Sequence, residues 1–211
     1  MTHRLLEVAP ERLVRWVDGF VARHGSVAVE PSPQSVRLQA DDGALAELEV
    51  PWPPWSVPPS GDVGLIAGTL ARHASRPRTL GLLLVRRGGW AVGTCRDGTL
   101  LSHKAGSRYV QSRTAAGGWS QQRFARRRSG QADALVGAVA DATSERLRAA
   151  DLDGLVVGGD RQLTRAVLED RRLADVAALP RSPLLEIPDP RATVLGEAAR
   201  RAVAVRVRLT D

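Results

Sequence analysis

One short apolar stretch limits the folds open to this chain. Leu152 to Val157 is a nearly continuous apolar run, and Gly158-Gly159-Asp160 follows it directly. Such a run is typical of a strand buried on both faces of its sheet, because a solvated face would carry alternating polar residues. A sheet buried on both faces needs helices to cover it. The run therefore predicts a layered fold of the α/β (α+β) class.

The elements around that run fit the same architecture. Three short strands precede it, joined by tight turns that indicate an antiparallel meander. A long helix lies between them and the run, with Leu135, Val139, Ala142 and Leu147 predicted to face inward. The resulting order, βββαβααβαβ, predicts a mixed sheet with helices on its faces. The predicted bounds are strands at 79–85, 89–96, 99–103, 182–187 and 202–209, with helices at about 130–150 and at 191–201.

The first 60 residues are predicted to form a small α+β region ahead of a larger domain at residues 61–211. An amphipathic helix covers Pro10 to His24, and two strands at 35–39 and 44–50 flank a turn. A connector rich in proline and tryptophan follows at residues 51–61. We expect its tryptophans, Trp52 and Trp55, to pack against a domain rather than to form a binding stripe. The next helix covers residues 62–75, capped by Ser60 or Asp62.

A cluster of cations is the chief electrostatic feature of the chain. No acidic residue occurs from Gly98 to Ala132, and the seven cations of that stretch equal the net charge of the whole chain, +7 at pH 7. Such a cluster favours a phosphate-rich partner, although a merely solvated surface is the alternative. We expect RNA contacts from Lys104, Arg108, Arg113, Arg123, Arg126, Arg127 and Arg128.

Inside this cluster lies the sequence Gly117-Gly118-Trp119-Ser120-Gln121-Gln122. Adjacent glycines permit backbone conformations closed to other residues and let a chain approach another surface closely. The glutamines carry amide donors and acceptors. These properties suit a loop that presents an amide to a reacting centre, whereas a flexible surface loop is the alternative interpretation.

The run from His103 through Arg128 resembles the release-factor-like peptidyl-tRNA hydrolases of ribosome rescue, the Vms-type family, and in particular its actinobacterial branch. It is more distantly similar to the middle domain of archaeal and eukaryotic class I release factors, which carry a Gly-Gly-Gln loop. The resemblance covers about Thr79 to Leu209, where Val157-Gly158-Gly159 is a second match. It implies a fold similar to ribonuclease H.

The resemblance also implies the site residues. The glycine of the family's motif falls on Gly118, next to Gly117, and its catalytic glutamine falls on Gln121. This chain departs from the motif because Trp119 and Ser120 separate glycine from glutamine. Gln122 directly follows Gln121, so both glutamines stay candidates for the catalytic group.

The expected function is that of a cytoplasmic peptidyl-tRNA hydrolase that needs neither cofactor nor metal. Its expected partners are peptidyl-tRNA and the ribosome, through the large subunit. No membrane partner is expected, and the sequence does not predict the oligomeric state. Ester cleavage needs a positioned water and stabilisation of an oxyanion, which an amide and backbone N–H groups can supply. Two alternatives remain: a non-catalytic module that binds RNA or the ribosome, and an endonuclease that cuts the tRNA near its 3′ end.

Other chemistries have little support in the sequence. Cys95 is the single cysteine, which excludes an internal disulfide and a cysteine-rich zinc site. The four histidines show no ligand spacing, and Ser120 lacks the flanking pattern of a nucleophile elbow. Asp160 is expected to cap a helix rather than to help bind a phosphate. The first ten residues have no apolar run of seven or more, so a signal peptide is not expected, and no apolar run of the chain approaches the length of a membrane span.

Overall fold

The computed structural model describes residues 3–59, 62–107 and 120–210. The chain divides into two compact units, the first formed by Met1–Pro77 with Arg200–Asp211 and the second by Arg78–Ala199. The strands are β1 (His3–Val8), β2 (Val27–Pro31), β3 (Ser35–Ala40), β4 (Leu45–Glu49), β5 (Thr79–Arg86), β6 (Gly89–Arg96), β7 (Thr99–Gly106), β8 (Gly154–Gly159) and β9 (Val205–Thr210). The helices are α1 (Leu13–His24), α2 (Val63–Ala74), α3 (Ser120–Leu147), α4 (Arg161–Leu168), α5 (Ala174–Ala178) and α6 (Ala192–Val203).

The first unit is built on an antiparallel sheet of five strands in the order β1-β9-β4-β3-β2. One face of the sheet shares a single hydrophobic core with α1 and α2. Phe20 of α1 and Leu70 of α2 are each at most 2% exposed, as are Leu38 and Leu48 of the sheet. The predicted helices and the hairpin of β3 and β4 are present, whereas β1 and β2 add strands that the sequence patterns did not indicate.

The last strand differs from its predicted position. The element order assigned it to the mixed sheet of the second unit, but β9 lies between β1 and β4. Its buried Val205, Val207 and Leu209 alternate with Arg206 and Arg208, and the two arginines form ion pairs with glutamates of β4. That alternation suits an antiparallel sheet with one polar face and not a strand buried on both faces.

The second unit contains a mixed sheet of four strands in the order β7-β6-β5-β8, as predicted. The first three strands are antiparallel, whereas β8 runs parallel to β5. Leu155, Val156 and Val157 of β8 are at most 7% exposed, which confirms the predicted burial of this strand on both faces. A core cluster joins the sheet to α3 and α4.

Two parts of the second unit differ from the prediction. Helix α3 begins at Ser120, well before the expected start near Gly130, because glutamine, arginine and alanine in this interval are good helix formers. The strand expected at 182–187 is reduced to isolated bridges from Arg181 and Leu185 to β8. Pro183 has no N–H to donate, so a regular ladder cannot form there.

The connector between β4 and α2 packs against the first unit, as expected. Trp55 is 6% exposed and its Nε1 donates to the carbonyl of Ser32 at 2.6 Å. The Nε1 of Trp52 donates to the carbonyl of Ala202 at 2.8 Å. Asp62 caps α2, because its carboxylate accepts from the backbone N–H of Leu65 at 2.7 Å.

Candidate functional site

The candidate site is bounded by two described elements, the end of β7 at Gly106 and the start of α3 at Ser120. Four of the predicted site residues lie outside the described residues: Gly117, Gly118, Arg108 and Arg113. The other candidates lie on the two bounding elements, with Lys104 on β7 and the rest in the first turns of α3.

Close packing fixes the point at which the chain leaves β7. A Cβ atom on Gly106 would lie 2.6 Å from the ring of Trp90 on β6, so only glycine fits there. Trp90 itself is 7% exposed and belongs to the core of the second unit. A Cβ on Gly89 would come within 3.0 Å of the carbonyl oxygen of Gly106. The end of β7 at Gly106 is thus packed against an aromatic ring that has little room to move.

Helix α3 is anchored by its C-terminal half. Leu135, Val139 and Leu147 are buried with Ala142 as predicted, and the buried Thr143 hydroxyl donates to the carbonyl of Val139 at 2.7 Å. Arg172, which lies between α4 and α5 in sequence, forms an ion pair with α3, since its Nη1 lies 2.7 Å from the carboxylate of Asp141. Because α3 is one continuous helix of 28 residues, roughly 40 Å long, this packing sets the direction of its N-terminal end as well.

Gln121 and Gln122 lie in the first turn of α3. The first N–H groups of a helix lack partners within the helix, and that end carries a partial positive charge. No acidic residue occurs in this first turn to oppose that charge. The glutamines therefore belong to the start of a helix, and not to an irregular loop as the sequence indicated.

Four arginines follow the glutamines within the same helix. Arg123 is separated from Arg126 and Arg127 by three and four residues, a spacing that brings positions to one helix face. Arg128 lies one position further along. The four arginines of the predicted basic cluster therefore lie near the N-terminal end of α3, next to the glutamines in sequence.

Lys104 has a structural partner that its sequence context does not reveal. Its Nζ lies 2.6 Å from the Oε2 of Glu145 on α3, which joins the edge strand of the sheet to the long helix. The hydrogen bond from Lys104 lowers the pKa of the Glu145 carboxyl. Both side chains are about half exposed, so this is a surface ion pair. The charge of Lys104 is thus shared with Glu145 in the free protein.

The glycine pair at the end of β8 allows close packing, and the aspartate that follows it caps a helix, as expected. Asp160 Oδ1 accepts from the backbone N–H groups of Gln162 and Leu163 at 2.9 and 3.1 Å. Gly159 has a φ of 96°, and a Cβ there would lie 2.1 Å from the carbonyl oxygen of Val85. These contacts give the glycine and the aspartate structural roles.

Next to this turn lies a cleft of about 850 Å³ that the sequence did not indicate. It contains Arg86 and Arg87 together with three carboxylates, of Asp160, Glu186 and Asp189. Arg86 donates to the carbonyl of Ile187 at 2.6 Å, and Arg87 lies 3.7 Å from Asp160. Because acidic side chains balance the basic ones, the cleft has no evident preference for a phosphate.

The described part of the chain gives no support to a cysteine nucleophile, a metal site or a membrane-spanning helix. Burial raises the pKa of the Cys95 thiol to about 11, so it stays protonated and is a poor nucleophile at neutral pH. Within residues 3–59, 62–107 and 120–210, no group of three histidine, cysteine or acidic side chains is arranged to hold a metal ion. No helix in these ranges has the length and apolar character to cross a membrane.

Comparison with known proteins identifies the family. A family model described as the actinobacteria/chloroflexi VLRF1 release factor matches residues 78–208, more than half of the chain. The chain belongs to this family. The match confirms the resemblance to the actinobacterial branch of the Vms-type family, and it makes this chain a release-factor-like protein of translation.

Two solved structures are similar to this VLRF1 chain at low sequence identity. The Vms1 mitochondrial localization core is 11% identical, with 93% of this chain and 80% of that chain covered and a TM-score of 0.41. Pelota of Archaeoglobus fulgidus is 12% identical, with 95% and 62% covered and a TM-score of 0.36, so this chain spans less than two thirds of it. No curated protein sequence matches the chain.

Proposed function

We propose that this VLRF1 release factor hydrolyses the ester bond of peptidyl-tRNA and so frees nascent chains from stalled ribosomes. The observation that carries the proposal is the start of α3. The Gly-Gly-Trp-Ser-Gln-Gln sequence leads into the first turn of that helix, so an amide side chain and N–H groups that lack partners within the helix belong to one short segment. Membership of a release-factor family supports a target on the ribosome.

In the proposed reaction, a water attacks the carbonyl carbon of the peptidyl ester. The bond between that carbon and the ribose oxygen of the tRNA breaks, and a proton passes to the ribose oxygen. The peptide leaves as a carboxylic acid, and the tRNA regains its hydroxyl group. The amide of Gln121 positions the water, while N–H groups at the helix start stabilise the oxyanion. Gln122 is the alternative for the same role.

The surroundings of the glutamines fit a catalyst that completes its site on a partner. The stretch from Gly98 to Ala132 has no carboxylate to accept the proton of the water, so the proposal assigns that step to groups of the ribosome and the tRNA. The arginines on α3, with Arg108 and Arg113, are proposed to contact RNA phosphates and hold the helix start against the reacting bond. The large ribosomal subunit is the proposed docking partner.

The decisive experiment uses ribosome–nascent-chain complexes with labelled peptide and labelled tRNA. The wild-type chain should release the peptide and leave the tRNA with an intact 3′ end. A shortened tRNA would replace ester hydrolysis with phosphodiester cleavage. Binding to the complexes without any release would reduce the protein to a docking module.

Two matched variants identify the catalytic amide. Gln121→Leu should abolish release and still sediment with ribosomes, because the lost amide acts on the transition state. Gln122→Leu occupies the neighbouring position of the same helical turn and should keep most of its activity. If the effects are exchanged, Gln122 is the catalytic residue. If both variants are fully active, the amide mechanism is wrong.

The glycines are tested separately. Gly117→Val combined with Gly118→Val should stop release, since β-branched side chains restrict the backbone and obstruct entry into a narrow cavity. Gly130→Ala is the control, because a Cβ at this exposed helical position would meet nothing within 4 Å. Unchanged release by the double variant would show that the glycines need not enter a confined site.

A further inference from the structure

A groove in the first unit combines positive charge with an aromatic ring. It lies between β1 and α1 and has a volume of about 520 Å³. Leu6 and Val8 line it from the strand, while Arg12, Trp16 and Arg23 line it from the helical side. All of these residues lie outside the span of the family match at 78–208. The groove is therefore separate from the site on α3 by both sequence and unit.

The arginines of the groove are available to a ligand. Arg12, Arg15 and Arg23 are exposed, and in the part of the chain that the structure describes no hydrogen bond or ion pair engages their guanidinium groups. Glu7 is the acidic residue of the groove, and its carboxylate already accepts from Nε of Arg201 at 2.8 and 2.9 Å. The groove thus has three unpaired guanidinium groups and one neutralised carboxylate, which favours an anion.

The spacing of the basic residues favours a polymer over a small anion. Arg12, Trp16, Gly19 and Arg23 follow one another at helical spacing and form one stripe. Arg12 and Arg23 are roughly 16 Å apart along the helix axis, too far for a single phosphate to contact both. A nucleic acid strand carries a phosphate every few ångströms and can reach both.

Trp16 supplies the second element of such a site. It is half-buried, and its ring stacks on Phe20 with centroids 5.9 Å apart and planes inclined by 16°. Phe20 is 2% exposed, so the core holds the tryptophan in place. Arginines beside a fixed aromatic ring are the usual means of binding single-stranded nucleic acid, in which bases stack and phosphates pair with cations.

We propose that this groove binds single-stranded RNA, with phosphates on Arg12, Arg15 and Arg23 and a base against Trp16. An acidic peptide would also meet the charges, but it would leave the aromatic ring without a stacking partner. The inference gives the first unit a role in RNA binding. It does not depend on ester hydrolysis, because none of its residues belongs to the site on α3.

Gly19 allows a test that changes charge without disturbing the core. A Cβ at Gly19 would meet nothing within 4 Å, and the residue lines the groove between Trp16 and Arg23. Gly19→Glu and Gly19→Gln add side chains of the same length that differ in charge. Both are better helix formers than glycine, so both variants should melt no lower than the wild type.

The binding measurement uses the full chain with Gln121→Leu as background and a labelled 12-nucleotide oligouridine as the probe. Gly19→Glu should bind the probe at least tenfold more weakly than Gly19→Gln. Equal affinities of the two variants would overturn the proposal. Because the background lacks the proposed catalytic amide, the result is independent of whether the protein hydrolyses peptidyl-tRNA.

A second pair of variants tests the arginines. Replacing Arg12 and Arg23 with alanine should reduce the slope of log affinity against log salt by about 1.4, since each contact with a single strand contributes about 0.7. Arg37→Ala with Arg72→Ala removes the same charge from other exposed positions of the first unit and should leave the slope unchanged. Equal slopes for the two pairs would overturn the proposal. So would polyglutamate that displaces the probe as effectively as unlabelled oligouridine.

Discussion

Gly159 shows how one residue limits the packing of the second unit. With a φ of 96° and no room for a Cβ beside the carbonyl oxygen of Val85, Gly159→Ala should destabilise the protein by more than about 2 kcal/mol. Gly137→Ala is the matched control, because this helical glycine of α3 has open space around it. That control should stabilise the protein by about 0.5–1 kcal/mol. Urea unfolding measures both, and equal stabilities would contradict the assigned role of Gly159.

Residues with local roles were predictable from the sequence, and those with distant partners were not. Asp160 was expected as a helix cap, and the hydrogen bonds of its carboxylate to Gln162 and Leu163 confirm it. Lys104 was grouped with the RNA contacts, but its ion-pair partner, Glu145, lies on another element. A cap depends on two or three neighbours, whereas an ion pair between elements depends on the tertiary fold.

At the scale of elements, one charged cluster predicts a pH dependence. A hydrogen bond from Arg172 lowers the pKa of Asp170 to about 2, and the same guanidinium reaches Asp141 on α3. A carboxyl with a lowered pKa in the folded state contributes stability above its unfolded pKa of about 3.9. That contribution is lost as the pH falls from about 4 towards 2.

Arg172→Gln should therefore raise the pKa of Asp170 towards its ordinary range and reduce the loss of stability between pH 4 and 2. An NMR titration of the Asp170 carboxyl measures the first effect, and thermal melts measure the second. Arg165→Gln is the control, because Arg165 pairs with Glu169 at 2.8 Å and not with Asp170. An unchanged pKa of Asp170 in Arg172→Gln would show that the ion pair does not hold it low.

Helix α3 illustrates what the sequence pattern predicts for an element. The periodicity of Leu135, Val139 and Leu147 identified the packed half correctly. The N-terminal half has no apolar stripe to reveal it, and two glycines with a run of arginines suggested a loop. Helix propensity and continuity with a packed helix extend α3 back to Ser120. This extension changes the description of the site. It places the glutamines in the first turn of a helix, where the backbone N–H groups lack partners within the helix.

At the scale of the whole molecule, strand pairing brings together parts of the chain that are far apart in sequence, and no local pattern could indicate it. β9 lies between β1 and β4, so the two ends of the chain share one sheet. The sequence identified the strand but not its neighbours, because any amphipathic strand could have joined either sheet. The mixed sheet of the second unit was predictable, since β8 is apolar on both faces and the meander before it is local in sequence.

The contribution of β9 to the first unit is testable with two leucines of adjacent strands. Leu209 is 3% exposed in the core of the first unit, whereas Leu5 of β1 is 54% exposed. Leu209→Ala should cost about 2–5 kcal/mol of unfolding free energy. Leu5→Ala should stay within about 0.5 kcal/mol of the wild type. Equal losses in urea unfolding would contradict the burial of β9.

The basic end of α3 yields a prediction for the complex of the whole protein with the ribosome. If Arg126, Arg127 and Arg128 neutralise RNA phosphates, each contact releases condensed counterions and steepens the fall of affinity with salt by roughly 0.7–0.9 in a log–log plot. Changing all three to alanine should flatten that slope by about two to three units, because each lost contact no longer releases its counterions. The melting temperature should hardly change, since alanine favours the helix.

The measurement is affinity for purified large ribosomal subunits across a salt series. A control that replaces the exposed Arg161, Arg165 and Arg171 with alanine removes the same charge from the same unit. Only a decrease in slope that the α3 variant shows and the control does not identifies RNA contacts, because a general change of net charge would weaken the binding of both variants alike. An unchanged slope with an unchanged melt would reject the three arginines as RNA contacts. A collapsed melt would show instead that they stabilise the fold.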